Sequence, residues 1–138
     1  MNKQQVQAGV TLIELMMVLV IIGILAALVY PSYQQHVLRS YRAEAVQVML
    51  HAANLQEGLL ADEGRYTADI SRLGLAADGL STSGRYRLSA SLSAAGSAYD
   101  LTLQALGPQR ADSDCLLFTL NQAGQRNVSA PESLKCWH

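Results

Sequence analysis

The sequence predicts an α+β fold: a long N-terminal α-helix packed on a small antiparallel β-sheet. Three observations predict it. Residues 15–29 carry no charge and no hydrogen-bonding side chain. Beyond Pro31, apolar residues recur at three- and four-residue spacing, the mark of an amphipathic helix. From Arg85 onward the pattern changes to alternation, the mark of strands with one buried face.

The apolar stretch comes first. Counted from Val10 to Tyr30 it is 21 residues, interrupted only by Thr11 and Glu14. A helix crosses a bilayer core with about 20 mostly apolar residues. In hydrocarbon each backbone group must bond within its own segment, so the spanning form is a helix. A removed secretory signal would need a small-residue cleavage site after the apolar run. Here the small residue, Gly9, stands before the run, and Pro31 and Tyr33 lead straight into more helix-like sequence. A cut at Gly9 would remove the polar stretch MNKQQVQAG and leave the apolar helix on the mature chain.

After Pro31, the residues Val37, Leu38, Tyr41, Ala45, Val48, Met49, Ala52, Leu55 and Leu59 form one stripe. Arg39, Arg42, Glu44, Gln47, Asn54 and Glu57 fall on the polar sides. Pro31 lacks a backbone donor and clashes with the carbonyl four residues back. It is expected to bend or loosen the helix without ending it. Gly58 and Gly64 bracket the expected end, near residue 60. Residues 61–84, rich in Gly, Asp, Ser and Thr, read as a loop with a short helical turn at 69–73. Three strands follow, at 85–92, 99–105 and 115–120, broken by Gly107-Pro108 and by turns at 94–97 and 121–124. The stripe on the helix is the natural cover for the sheet's apolar face.

Composition narrows the function. The chain has 138 residues, about half of them hydrophobic, and a net charge of −1. That suits one small domain plus an anchor, and the total charge offers no basic field for nucleic acid. Arg65, Arg72, Arg85, Arg87, Arg110, Arg126 and Lys135 are spread through the sequence. Cys115 and Cys136 are the only cysteines. An even pair outside the membrane reads as a disulfide in an oxidising compartment, closing a tail with little regular structure. His36, His51 and His138 are scattered, without carboxylates at ligand spacing. No phosphate loop, C-x-x-C or catalytic constellation is present, so neither an enzyme nor a cofactor is expected. Asn127-Val128-Ser129 matches the glycosylation acceptor pattern, which is short and common by chance.

The stretch G-V-T-L-I-E-L, from Gly9 to Leu15, resembles the type III signal of type IV pilins and pseudopilins, G-F-T-L-I-E. The resemblance implies cleavage by prepilin peptidase between Gly9 and Val10, and N-methylation of Val10. Val10 stands where that family usually has phenylalanine. Glu14 takes the position of the family's fifth-residue glutamate, an assembly residue, and Pro31 that of its helix-kinking proline. The run from Tyr30 to Ser40 resembles the PilE-like minor pilins in particular. The segment bounded by Cys115 and Cys136 is similar in position and spacing to the pilin D-region.

The implied organisation is a leader at 1–9, a transmembrane and filament-core helix at 10–30, and a periplasmic domain at 31–138. Basic residues after the run would by simple count favour a cytoplasmic C-terminus. Long following domains translocate largely regardless of charge, and the cysteine pair favours the periplasm. The implied partners are other pilin subunits, prepilin peptidase and the inner membrane before assembly. The implied role is a minor pilin that helps initiate or cap a type IV pilus. The alternatives are a type II secretion pseudopilin, or a pilus-tip module for DNA or a surface ligand. The disulfide-bounded tail, and the lack of clustered Asp and Asn oxygens near the C-terminus, favour the pilus subunit over the calcium-binding main pseudopilin.

Processing gives the first test. Intact mass and N-terminal sequencing of filament-associated protein should find a chain that begins at methylated Val10. Bulky substitutions at Gly9 should accumulate uncut protein, because the scissile backbone must fit closely into the peptidase.

Overall fold

The fold rests on α1, Leu12–Glu63, and a three-stranded sheet, β1 Tyr86–Ser93, β2 Ala98–Ala105 and β3 Leu117–Asn121. A computed structural model describes residues 9–93, 96–128 and 131–138. The chain divides into two compact units, residues 1–36 and 37–138.

In the first unit α1 carries the apolar stretch, and its side chains are exposed from Val10 to Tyr33. The helix is long and apolar enough to cross a membrane by length and composition. Thr11 ends the non-helical entry: its Oγ1 accepts a hydrogen bond from Glu14 N at 3.3 Å, and its carbonyl accepts from Leu15 N. Thr11 is therefore an N-cap, satisfying one of the first amides that lack a helical partner. Pro31 lies inside α1 and does not end it.

In the second unit α1 buries Ala45, Met49, Ala52 and Gln56, at spacings of four, three and four residues. Tyr41, Val48, Leu55 and Leu59 flank this line, half-buried against the core. The helix runs to Glu63, past the expected residue 60, because Gly58 sits inside it. It stops at Gly64, which adopts φ +71° and donates its N–H to Leu60 O. Glycine enters this left-handed conformation without steric cost.

The sheet is a meander in the order β1-β2-β3, both pairs antiparallel. The β1–β2 register runs from Tyr86↔Ala105 to Ser93↔Ala98. Alternation buries Tyr86 and Leu88 on β1, Tyr99, Leu101, Leu103 and Ala105 on β2, and Phe118 and Leu120 on β3. Leu92, on the same alternating face, is exposed near the hairpin end. Aromatic rings meet edge to face, Tyr86 with Phe118 at 5.9 Å and Phe118 with Trp137 at 5.6 Å. This is the favoured geometry for such rings.

One expectation needs correction. The third strand does not begin at Cys115: residues 113–115 form a 3-10 turn in which Cys115 N bonds Asp112 O. The expected loop after α1, with its short turn now at Ile70–Leu73, is tied down along its length. Gln56 grips it through both ends of its amide, donating to Thr67 O at 2.6 Å and accepting from Thr67 N at 3.0 Å. Asp69 caps the 3-10 turn Ile70–Leu73. Gly79 then passes so close to β1 that a Cβ there would lie 2.3 Å from Leu88 O.

Buried phenols give this unit a direction of pH sensitivity. Desolvation pushes Tyr99 up to about 12 and moves Tyr86 the same way. A raised folded-state value means that the stabilisation is whole below the ordinary tyrosine range near 10, and is lost as pH rises through it. Thermal melting should hold up to about pH 10 and fall between about 10 and 12. The decline should be shallower in Tyr99→Phe.

Candidate processing and assembly site

The residues expected to act in processing and assembly lie at the start of the first unit. Gly9 and Val10 are exposed and non-helical, immediately before the Thr11 cap. A Cβ added at Gly9 would meet nothing within 4 Å, so the fold itself does not require glycine there. The cap explains why the Gly9–Val10 bond stays outside the helix. Residues 1–8 of the expected leader lie outside the described residues.

Glu14 is the third residue of α1 and is exposed. Thr11-Leu12-Ile13-Glu14 is a T-x-x-E capping box. Half of the box is made. The Glu14 amide bonds Thr11 Oγ1, while the Glu14 carboxylate has no partner among the described residues. A negative charge in the first helical turn is favoured by the helix dipole. Pro31, by contrast, is one turn-length feature of a continuous helix, flanked by a Gln34 Nε2 to Tyr30 Oη bond at 2.8 Å.

In the second unit the structure joins Cys115 to Cys136, with Cα atoms 5.7 Å apart. This fastens the C-terminal 3-10 segment Pro131–Trp137 beside β3. Asn127 guards the outer edge of that strand. Its side chain accepts from Thr119 N at 2.7 Å and donates to Leu117 O at 3.2 Å, so the amide takes the place of a fourth strand. The residue is 3% exposed, with φ at 43°. An amide so engaged is a poor glycosylation acceptor.

A polar clamp unforeseen in the sequence holds the β2–β3 connection against α1. Arg42 makes two 2.6 Å bonds to the Asp112 carboxylate, and Gln109 Nε2 donates to Leu38 O at 3.2 Å. The Asp112 hydrogen bond raises the Arg42 pKa further. A spacing of 70 residues separates the pair, which is why no local pattern announces it.

The basic residues are not gathered into a stripe. Arg72 pairs with Glu63 and Lys135 with Asp114. Arg85 stacks on Tyr41 and Arg126 on Trp137. His36, His51 and His138 do not converge: among the described residues no group of three or more His, Cys, Asp or Glu is placed to hold a metal.

Residues 31–119, more than half of the chain, match the family described as type IV minor pilin ComP, DNA uptake sequence receptor. The chain belongs to this family of type IV pilins. Its N-terminal stretch, residues 4–30, also matches the prokaryotic N-terminal methylation motif. Fimbrial protein EcpC of Eikenella corrodens is 43% identical over 93 residues, which are 67% of this chain and 59% of that protein. Type IV major fimbrial protein FimA of Dichelobacter nodosus is 47% identical over 60 residues, 40% of this chain and 38% of its own length. The chain thus spans less than two thirds of these relatives. A type IV pilin from Shewanella oneidensis shares the fold at TM-score 0.55 and 21% identity, over 73% of this chain and 98% of that one. Pilins are structural proteins, not enzymes, and the helix-on-sheet architecture of this pilin matches theirs.

Cys136→Ser should lower the stability of the pilin domain by about 2–5 kcal/mol, the usual range for a native bridge in a small secreted domain. Denaturant melts under non-reducing conditions measure it.

Proposed function

We propose that this pilin is a minor subunit of a type IV pilus, cut by prepilin peptidase between Gly9 and Val10 and methylated at Val10. Its apolar helix anchors it in the inner membrane, the pilin domain in the periplasm, until it joins other pilins in the filament. There it helps to initiate or cap the pilus. The match to a minor-pilin family over residues 31–119 carries this reading. The wholly exposed apolar helix supports it, since so long an apolar surface needs lipid or other helices as cover. Glu14 fits a partner role. A carboxylate inside a membrane helix costs about 2.5–3.5 kcal/mol at the centre on insertion scales, and such residues are functional with a partner to be named. Cleavage creates one, the positive α-amine of Val10 on a neighbouring subunit.

A second reading rests on the family's description as a receptor for DNA uptake sequence. In it the exposed domain holds DNA, with Arg65, Arg87 and Arg110, which have no partner among the described residues, as phosphate contacts. Such binding would weaken steeply with salt.

Quantitative proteomics of sheared filaments tests the first reading: one copy per many major subunits supports it, and parity with the major subunit overturns it. Glu14→Ala should leave membrane insertion and cleavage intact while depleting the protein from filaments. Wild-type recruitment of that variant would count against the pairing.

A further inference from the structure

The net charge of −1 hides a division of charge within residues 37–138. One end of this unit is where the chain enters it. There Gln109 bonds Leu38 O, Arg85 stacks on Tyr41 with its guanidinium carbon 3.9 Å from the ring centre, and Leu106 N bonds Arg85 O. Arg87 stands opposite Gln104 on the outer sheet face, and Arg110 lies in the 3-10 turn Gly107–Ala111. Arg39, Arg87 and Arg110 are exposed and have no ion-pair or hydrogen-bond partner among the described residues. Arg85 keeps its charge on an aromatic face.

The acids at this end are largely spoken for. Asp112 is bound by Arg42 and Asp114 by Lys135. Among the described residues, the acids there outside an ion pair are Glu44, which accepts from Ser83 N, and Asp78, which accepts from Leu80 N beside the Leu80–Arg87 bridge. At the opposite end the balance reverses. Asp62 and Asp100 are exposed there, as is Arg65, and none of the three side chains has a partner among the described residues.

We propose that the Arg39–Arg85–Arg87–Arg110 end is a docking surface for anionic phospholipid headgroups. The proposal rests on the reading that residues 10–30 occupy a bilayer. Two facts select lipid as the occupant. Arg39 comes only nine positions after Tyr30, so the anchor holds this end at high local concentration near the bilayer surface. Anionic headgroups attract juxtamembrane Lys and Arg within about a Debye length of the surface. Guanidinium groups also bind phosphate through paired N–H donors. Docking would hold the domain down on the membrane before assembly, and release from lipid would free the same arginines.

The test uses the full chain reconstituted into vesicles of phosphatidylcholine, with and without phosphatidylglycerol, read by hydrogen–deuterium exchange. Amides at 85–88 and 104–112 should exchange at least about fivefold more slowly on the anionic vesicles, roughly the docking contributed by one arginine. The protection should vanish in 1 M salt, where the Debye length is about 3 Å. It should also vanish in Arg39→Gln/Arg87→Gln/Arg110→Gln, whose exposed, unpartnered side chains leave the core intact. Amides at 61–65 and 98–100 should not respond. Equal exchange on both vesicles, or equal protection at both ends, overturns the proposal while leaving the anchor reading standing. Protection that arises without lipid as protein concentration rises places another chain's acidic end there instead, and also overturns it. A chain that fails to float with either vesicle overturns the anchor reading and the docking together.

Discussion

One face of one helix must cover one face of a three-stranded sheet, and the rest of the pilin domain depends on that packing. Ala45, Met49, Ala52 and Gln56 are fully buried along α1. The alanines keep the helix surface low, and Met49 supplies an adaptable apolar side chain between them. The facing strands contribute Leu88, Leu101, Leu103 and Phe118 to the same core. Each large apolar side chain so buried contributes on the order of 1.5–3 kcal/mol, and no single one replaces the others. Gln56 closes the line where an apolar side chain would leave Thr67 unpaired. Buried backbone groups need partners, and both of Gln56's amide ends supply them.

The connections are then fastened by polar groups at long range. Arg42 and Asp112 tie the β2–β3 connection to α1, and only 5% of the Asp112 side chain is exposed. Losing one member of such a pair leaves a charge poorly solvated, a cost of about 3–5 kcal/mol for buried pairs. Cys115 follows Asp112 by three positions, so the clamp and the disulfide act in series. The clamp holds the connection to the helix, and the bridge holds the tail to the connection. Trp137, next to Cys136, then packs its ring against Phe118. Asn127 finishes the arrangement by pairing the open edge of β3, which would otherwise offer unpaired backbone groups to another chain.

The sequence made legible what depends on period and local chemistry. The apolar run, the stripe from Tyr41 to Leu59, the three strands and the buried set on β2 are all written in spacing. So was the short helical turn near Asp69, though the cap that Asp69 provides for it was not. What escaped depends on residues far apart in the chain or on a polar side chain in an apolar place. Gln56 sits on the helical stripe, yet its polarity hid it from a search for apolar recurrence. Arg42 falls on the polar side of the helical stripe, and its partner Asp112 is 70 positions away. Cys115 sits in apolar, strand-like sequence, but its amide is committed to Asp112 O, and this delays β3 to Leu117. The Thr11–Glu14 box was readable in principle.

That box sharpens the division of labour along the chain. Thr11 fixes where the helix begins and so leaves the Gly9–Val10 bond, the proposed cleavage point, in irregular backbone. Yet the Glu14 carboxylate contributes nothing to the cap, since it is the amide of Glu14 that bonds Thr11. A residue that costs free energy in apolar surroundings and is not used by its own fold is kept for something outside that fold. Among the described residues, by contrast, the buried core draws on none before Tyr41. The packing of the domain and the role proposed for the start of the helix therefore rest on different residues. On that proposed reading, changes at Gly9, Thr11 or Glu14 would alter processing and assembly without touching the packing that holds the pilin domain together.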